Sequence, residues 1–120
     1  MKAHFRTIAV VDDDAAVCDS TRVLLEADDF DVQTHLSGAD FLRDSPDVAC
    51  VIVDYMMPGL NGFDFASELR RRGSKVPVIM ITAISNPAVE RRAAELGIRQ
   101  VLQKPLSSHV LLGAIREELE

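Results

Sequence analysis

Apolar residues in this chain come in short bursts, and each burst is cut off by a sharply polar residue. Thr7-Ile8-Ala9-Val10-Val11 runs into Asp12-Asp13-Asp14, Ala49-Cys50-Val51-Ile52-Val53 runs into Asp54, and Val76 to Ile81 runs into Thr82. Bursts of this length, rich in β-branched side chains, predict strands, and their unbroken apolarity predicts strands covered on both faces. Two weaker segments, Asp31 to His35 and Arg99 to Gln103, complete a set of five, the last ending at Lys104-Pro105. Between the strands the apolar spacing turns helical. A helix is expected at about residues 15 to 27, with Val17, Thr21, Leu24 and Leu25 at helical spacing and Asp14 as its cap. A short helix runs from Ser37, its N-cap, to Arg43. A third carries Phe65, Ala66 and Leu69 inward and stops near Gly73, and a fourth opens at Asn86-Pro87 and closes at Gly97. The last follows Ser107 and bears Leu111, Leu112, Ile115 and Leu119.

Strands that alternate with crossover helices of this length are parallel, and right-handed crossovers put helices on both faces. The expected fold is therefore α/β, a doubly wound parallel sheet of five strands. No repeat, low-complexity tract or linker interrupts the pattern, so residues 1–120 are expected to form one domain, with no output domain after the last helix. In such a sheet the carboxyl ends of all strands share one edge, where ligands bind. The polar stops then converge: Asp12 and Asp13 from the first strand, Asp54 from the third, Thr82 from the fourth and Lys104 from the fifth.

Three crowded carboxylates repel one another, and a hard divalent cation relieves that repulsion. No soft ligand sits at this edge, which argues against zinc or copper. A carboxylate left free to react can attack phosphorus and form an acyl phosphate. Positioning and charge neutralisation are most of what phosphoryl transfer requires, and Lys104 and the hydroxyl of Thr82 fit those needs. The plainer reading of each residue alone is a solvated turn, a helix-terminal acid or a surface lysine. Five such coincidences aligned on one edge make that reading the weaker one.

Composition narrows the field. With 48% hydrophobic residues the chain can bury a core, and its formal charge of −6 speaks against nucleic-acid binding by this domain. The one dense basic run, Arg70-Arg71-Arg72 with Lys75 nearby, reads as the solvated end of a helix. Cys18 and Cys50 lie among apolar neighbours and read as buried free thiols of a reducing compartment. No apolar run has the length of a membrane span, and Met1 to Arg6 lacks the core of a signal peptide. A cytoplasmic, membrane-free protein is expected. His4, His35 and His109 form no cluster and read as surface or edge residues.

These motifs carry a resemblance. Val10-Val11-Asp12-Asp13-Asp14, the stretch from Asp54 through Met57-Pro58-Gly59 to Gly62, Ile81-Thr82-Ala83 and Lys104-Pro105 together resemble bacterial two-component response-regulator receiver domains over essentially the whole chain. The likeness is closest to receivers attached to helix-turn-helix transcription factors. It implies a flavodoxin-like strand order 2-1-3-4-5. It implies that Asp54 accepts a phosphoryl group from a phosphohistidine on a sensor histidine kinase or phosphotransfer protein. Mg²⁺, with Mn²⁺ as the alternative ion, is implied at Asp12, Asp13, Asp54 and the backbone carbonyl of Met56. Thr82, with Ala83 beside it, is similar to the switch loop that contacts the phosphoryl group, and Lys104 to its ion-pair partner. The Lys104–Pro105 bond is implied to be cis.

Such a domain is a switch and not an enzyme, because its chemistry is confined to its own phosphorylation and dephosphorylation. The resemblance implies control of an output, transcription by an attached domain or a partner protein, and a homodimer through the fourth helix and fifth strand. Glu90, Arg91, Arg92 and Glu95 could pair across a two-fold axis there, although a solvated helix face is the plainer reading. Two rival classes remain: a phosphatase using Asp12 of Asp12-Asp13-Asp14 as nucleophile, and a degenerate receiver that binds partners without phosphorylation. The first leaves the Asp54 loop unexplained, and the second is disfavoured by the complete set of site residues.

The sequence departs from the family pattern at Val101, where an aromatic ring is usual. A stiff valine cannot swing a large apolar surface, so activation is expected to run through the Thr82 loop and the helix that follows. Met56 and Ile84 flank the approach of hydrolytic water in the family. Both are apolar here and cannot orient a water molecule, which predicts slow autodephosphorylation.

Overall fold

Strand pairing in the computed structural model follows the apolar bursts; residues 6–84 and 86–120 are described. The elements, in chain order, are β1 (Thr7–Val11), α1 (Ala15–Glu26), β2 (Asp31–His35), α2 (Gly38–Asp44), β3 (Cys50–Asp54), α3 (Gly62–Arg71), β4 (Val78–Thr82), α4 (Pro87–Glu95), β5 (Gln100–Gln103) and α5 (Ser108–Leu119). The sheet order is β2-β1-β3-β4-β5, and every pair is parallel. This is the doubly wound arrangement expected from the alternation, in the order implied by the resemblance.

Side chains alternate across each strand, and the two faces receive separate cores. Ala9, Val11, Val51, Val53 and Met80 pack with Phe65 and Leu69 of α3 and with Phe41 of α2. Ile8, Val10, Ile52 and Ile79 pack on the other face with Leu25 of α1 and Ile115 of α5. Every residue of β1 and β3 is buried, as two-sided coverage requires.

The helix starts are where capping side chains put them. Asp14, Ser37, Asn86 and Ser107 each accept a backbone N–H from the first turn of their helix. Asn61 does the same for α3 in a capping box with Asp64. Strand β4 begins at Val78 and not at Val76, since Pro77 has no N–H to enter the ladder, although its carbonyl accepts from Val51 N–H at 2.9 Å. In α1 the buried residues are Cys18 and Leu25, while Val17 is 39% exposed, because the first turn of the helix lies at the open edge of the sheet.

Two expectations need correction. The arginine run is a solvated helix end only in part: Arg71 and Arg72 are exposed, but Arg70 and Arg72 also reach carbonyls of the protein. The Arg70 guanidinium is half-buried and donates to the carbonyls of Leu96, Ser74 and Val76, and Arg72 donates to the Leu42 carbonyl of α2. Arg71 and Arg72 also bind Glu68 and hold its carboxyl down to about 2. Free carbonyls at the chain's turns draw these side chains in. His35, read as a surface or edge residue, does end the edge strand β2, but its side chain is largely buried. Its ring meets Phe41 edge-on at 5.2 Å, and burial holds its imidazole below the usual range against the pull of Asp44. The cysteines are free and buried, as expected. His4 lies outside the described residues, and no described helix is long and apolar enough to cross a membrane.

Phe65 is the largest fully buried side chain and meets Phe41 edge-on at 5.3 Å. Phe65→Ala is expected to cost about 3–5 kcal/mol, the range for an emptied aromatic site. Urea unfolding checks it: a midpoint shift corresponding to less than about 1 kcal/mol would show that the α3 face of the sheet is not the core described.

Candidate functional site

The carboxyl edge of the sheet gathers the polar strand ends. Asp12 follows β1 and is 6% exposed. Its backbone N–H donates to the His35 carbonyl at 3.1 Å, so the β1–β2 pairing is extended through it. Its carboxylate Oδ1 accepts the Asp14 N–H at 2.9 Å, and its carbonyl accepts the Cys18 S–H at 3.4 Å. Asp12 is thus held from three directions. Asp13, the next residue, is exposed. Asp54 is the last residue of β3 and is 7% exposed. Oxygens of Asp12, Asp13 and Asp54 all lie within 4.8 Å of one another.

Lys104 closes the cluster from the other side. Its Nζ stands 3.1 Å from Asp54 Oδ1. Its backbone N–H donates to the Thr82 carbonyl at 2.9 Å, continuing the β4–β5 ladder, and the Lys104–Pro105 peptide is cis. Thr82 ends β4 and is buried, and its Oγ1 accepts the Ile84 N–H at 3.0 Å. The Thr82 hydroxyl is therefore engaged with its own loop and not with Asp54. Ala83 is exposed, and its carbonyl accepts Gln103 Nε2 at 3.4 Å.

The turn after Asp54 is shaped by two glycines. Gly59 has φ +78°, a left-handed conformation that side chains other than glycine's rarely adopt. A Cβ on Gly62 would stand 3.0 Å from the Tyr55 Cα, and Gly62 N–H donates to the Tyr55 carbonyl at 2.9 Å. Met57 is buried while Met56 is 62% exposed, and Ile84 in the facing loop is 47% exposed. Val101 stands apart from the acids. It packs on the α3 face of the core beside a cleft of about 500 Å³ lined also by Glu90, Ala94, Gly97, Ile98 and Arg99.

The charge pattern is strained in a readable way. Burial pushes the Asp12 carboxyl above its ordinary value; the Asp14 N–H opposes this, the nearby charge of Asp54 adds to it, Lys104 opposes it and Asp13 adds to it. An octahedral ion with bonds of about 2.0–2.1 Å spans opposite ligands on the order of 4 Å apart, so the oxygen cluster is close to that size. The all-oxygen donor set suits a hard cation, and these three residues are the ones that would hold it.

Sequence reading found every strand-end residue of this site. It missed what holds them: the Cys18 thiol, the His35 carbonyl and the Gln103 amide. The spacing of Cys18, one helical turn after Asp14, was the one signal of its place; the other two contacts depend on which strands become neighbours.

Comparison with known proteins now bears on the site. The family described as response regulator receiver domain matches residues 8–116. The transcriptional regulatory protein FixJ of Azorhizobium caulinodans is 34% identical over 114 residues, covering 93% of this chain and 54% of FixJ. The transcriptional regulatory protein TdiR of Thauera aromatica is 35% identical over 117 residues, covering 94% and 51%. The chain thus spans about half the length of the curated relatives it matches. Among solved structures, a response regulator receiver protein from Burkholderia phymatum is 36% identical with a TM-score of 0.80, covering 94% of each chain. The beryllofluoride-activated DrrB receiver domain is 28% identical with a TM-score of 0.84, covering 94% of this chain and 96% of its own.

The raised Asp12 carboxyl has a testable sign. A carboxyl whose folded value lies above its unfolded one binds its proton more tightly when folded. Its ionisation therefore costs stability at neutral pH, and that cost disappears as pH falls below the unfolded value. Asp12→Asn, which keeps the acceptor for Asp14 N–H, is expected to raise the melting temperature at pH 7 in the absence of divalent cations. The gain should shrink toward nothing as pH approaches 3. A gain that persists at low pH, or none at pH 7, contradicts a carboxyl raised by burial and by its acidic neighbours.

Proposed function

The chain belongs to the response regulator receiver domain family, and from that premise we propose that it is a signalling switch phosphorylated on Asp54. The observation that carries this reading is the setting of Asp54. Its carboxylate is nearly buried at the end of β3, 3.1 Å from Lys104 Nζ and within the cluster formed with Asp12 and Asp13. A carboxylate oxygen of Asp54 attacks the phosphorus of a phosphohistidine on a sensor histidine kinase or phosphotransfer protein. The P–N bond breaks as the new P–O bond forms, and the imidazole leaves with the bond's electron pair. Lys104 moves from the carboxylate to an oxygen of the phosphoryl group. Thr82 exchanges the Ile84 N–H for the same group, donating its hydroxyl, with Ala83 carried along. Asp12, Asp13, Asp54 and the Met56 carbonyl would hold Mg²⁺, or Mn²⁺ in its place, which would supply neutralisation of the charge gathered there.

The domain's chemistry is confined to itself, which makes it a switch and not an enzyme acting on other substrates. Its natural setting is the cytoplasm, consistent with two buried free thiols. The relatives named as transcriptional regulators are about twice its length, which supports an output in transcription through an attached domain. A homodimer through α4 and β5 would be the phosphorylated form. Arg92 already pairs with Glu95 along α4 at 3.2 Å, so the unphosphorylated face is satisfied in water. The phosphatase reading is disfavoured by one observation: the acid facing Lys104 is Asp54, while Asp12 is tied to the Asp14 backbone.

Acetyl phosphate with Mg²⁺ is expected to modify the native chain at Asp54 and to leave Asp54→Asn unmodified, as read by peptide mass mapping. Label found on Asp12, or retained in Asp54→Asn, would overturn the assignment. The exposed apolar side chains of Met56 and Ile84 predict a long-lived acyl phosphate. Ile84→Gln or Met56→Asn, by orienting a water, is expected to speed hydrolysis several-fold; unchanged lifetimes in both would count against that role.

A further inference from the structure

Among the described residues, helix α4 is held very differently at its two ends. Ala93 is its only buried residue, whereas α3 buries Gly62, Phe65, Ala66 and Leu69. Apolar burial along its length therefore does little to fix it. At its start, the Asn86 side chain accepts the Val89 N–H at 2.9 Å, a bond internal to the helix that travels with it. At its end, Leu96 and Ile98 are buried, and the Leu96 carbonyl accepts Arg70 Nε at 2.8 Å. The same guanidinium donates through Nη1 to the carbonyls of Val76 at 2.9 Å and Ser74 at 3.2 Å. One planar cation thus joins the carboxyl end of α4 to the α3–β4 connection by charge-assisted bonds. It also places positive charge where the helix dipole favours it. Gly97, at φ +72°, a conformation that favours glycine, turns the chain beside the guanidinium, where a Cβ would stand at ordinary contact distance, 3.7 Å, from Arg70 Nε.

We propose that Arg70 is the pivot of the switch: it pins α4 at Leu96, so that movement of the Thr82 loop swings the helix about its carboxyl end instead of sliding it. This rests on the reading of Asp54 as phosphoryl acceptor. When Thr82 Oγ1 leaves the Ile84 N–H for the phosphoryl group, the segment entering α4 is released and the far end is not. A helix of nine residues is about 13 Å long, so a small displacement of its first turn becomes a tilt. The tilt changes the width of the cleft between Glu90 and Ala94 of α4 and Arg99 and Val101 beside them, which is about 500 Å³. Val101, with no large ring, leaves that space open for the helix to move into. Arg70 touches none of the reacting groups and is a positioning residue.

Amide exchange of the native chain, Arg70→Met and Arg70→Lys, with and without beryllofluoride and Mg²⁺, tests the proposal, while ¹⁹F NMR reports loading of the site. In the native chain, loading should alter exchange strongly at 86–90 and hardly at 95–98. In unloaded Arg70→Met, exchange at 95–98 should rise about tenfold or more while the other helices keep their protection, the scale for losing a charge-assisted bond. Loading should then alter both ends, Arg70→Lys should fall between, and the ¹⁹F signal should be the same in all three. Unchanged protection at 95–98 in unloaded Arg70→Met overturns the pivot, as does equal change at both ends in the loaded native chain. If Arg70→Met fails to fold, Arg70→Lys decides by the same comparison. Absence of a bound ¹⁹F signal in the native chain refutes the Asp54 reading instead, and the unloaded comparison still decides whether Arg70 pins the helix.

Discussion

Three carboxylates held against one another at the edge of a dry sheet are the constraint around which the rest is arranged. β1 and β3 are neighbours and buried throughout, so Asp12 and Asp54 leave the sheet side by side with little water to screen them. The fold tolerates this because each acid has a counterweight. Asp14 N–H serves Asp12, Lys104 serves Asp54, and Asp13 stays in solvent. The Asp12 carboxyl nevertheless remains raised, chiefly because it is buried and further because Asp54 and Asp13 stand near it. Such a site responds to any added positive charge and, under the proposed function, to conversion of the Asp54 carboxylate into an acyl phosphate.

In the proposed switch the response reaches the surface through Thr82 and Lys104, which are adjacent at the ends of β4 and β5. The Lys104 N–H donates to the Thr82 carbonyl, so the lysine that faces Asp54 shares a ladder rung with Thr82, whose hydroxyl holds its own loop at Ile84. From there the chain passes into α4, the helix least committed to the core. Arg70 and Arg72 anchor the opposite end of the molecule, tying α3 to the ends of α4 and α2. A thinly packed helix fixed at one end is a natural carrier of a local change, because local stability is lowest where burial is least.

Much of this was legible in the sequence, for identifiable reasons. Strand ends are marked by abrupt changes from apolar to charged residues, and a parallel sheet puts all such ends on one edge, so Asp12, Asp54, Thr82 and Lys104 could be placed together before any coordinates were known. Caps such as Ser37, Asn86 and Ser107 are local signals and fall where local chemistry puts them. What the sequence hid was non-local. The arginine run looked like a solvated helix end because the carbonyls it binds lie in segments 4 to 30 residues away. His35 could be placed on the outer strand, but the burial of its ring was hidden because the covering Phe41 belongs to the next helix. The Cys18 and His35 contacts to Asp12 need strand and helix to be packed first.

The most direct measurement of the central claim is the melting temperature of the native chain against Mg²⁺ concentration at pH 7, compared with Asp12→Asn and Asp54→Asn. A ligand that binds only the folded state stabilises it by RT ln(1 + L/Kd), which grows with its free concentration L. If the carboxylates are crowded as described, Mg²⁺ raises the melting temperature of the native chain, and each substitution removes most of that gain. A native chain indifferent to Mg²⁺, or a gain that both substitutions leave intact, would contradict the account.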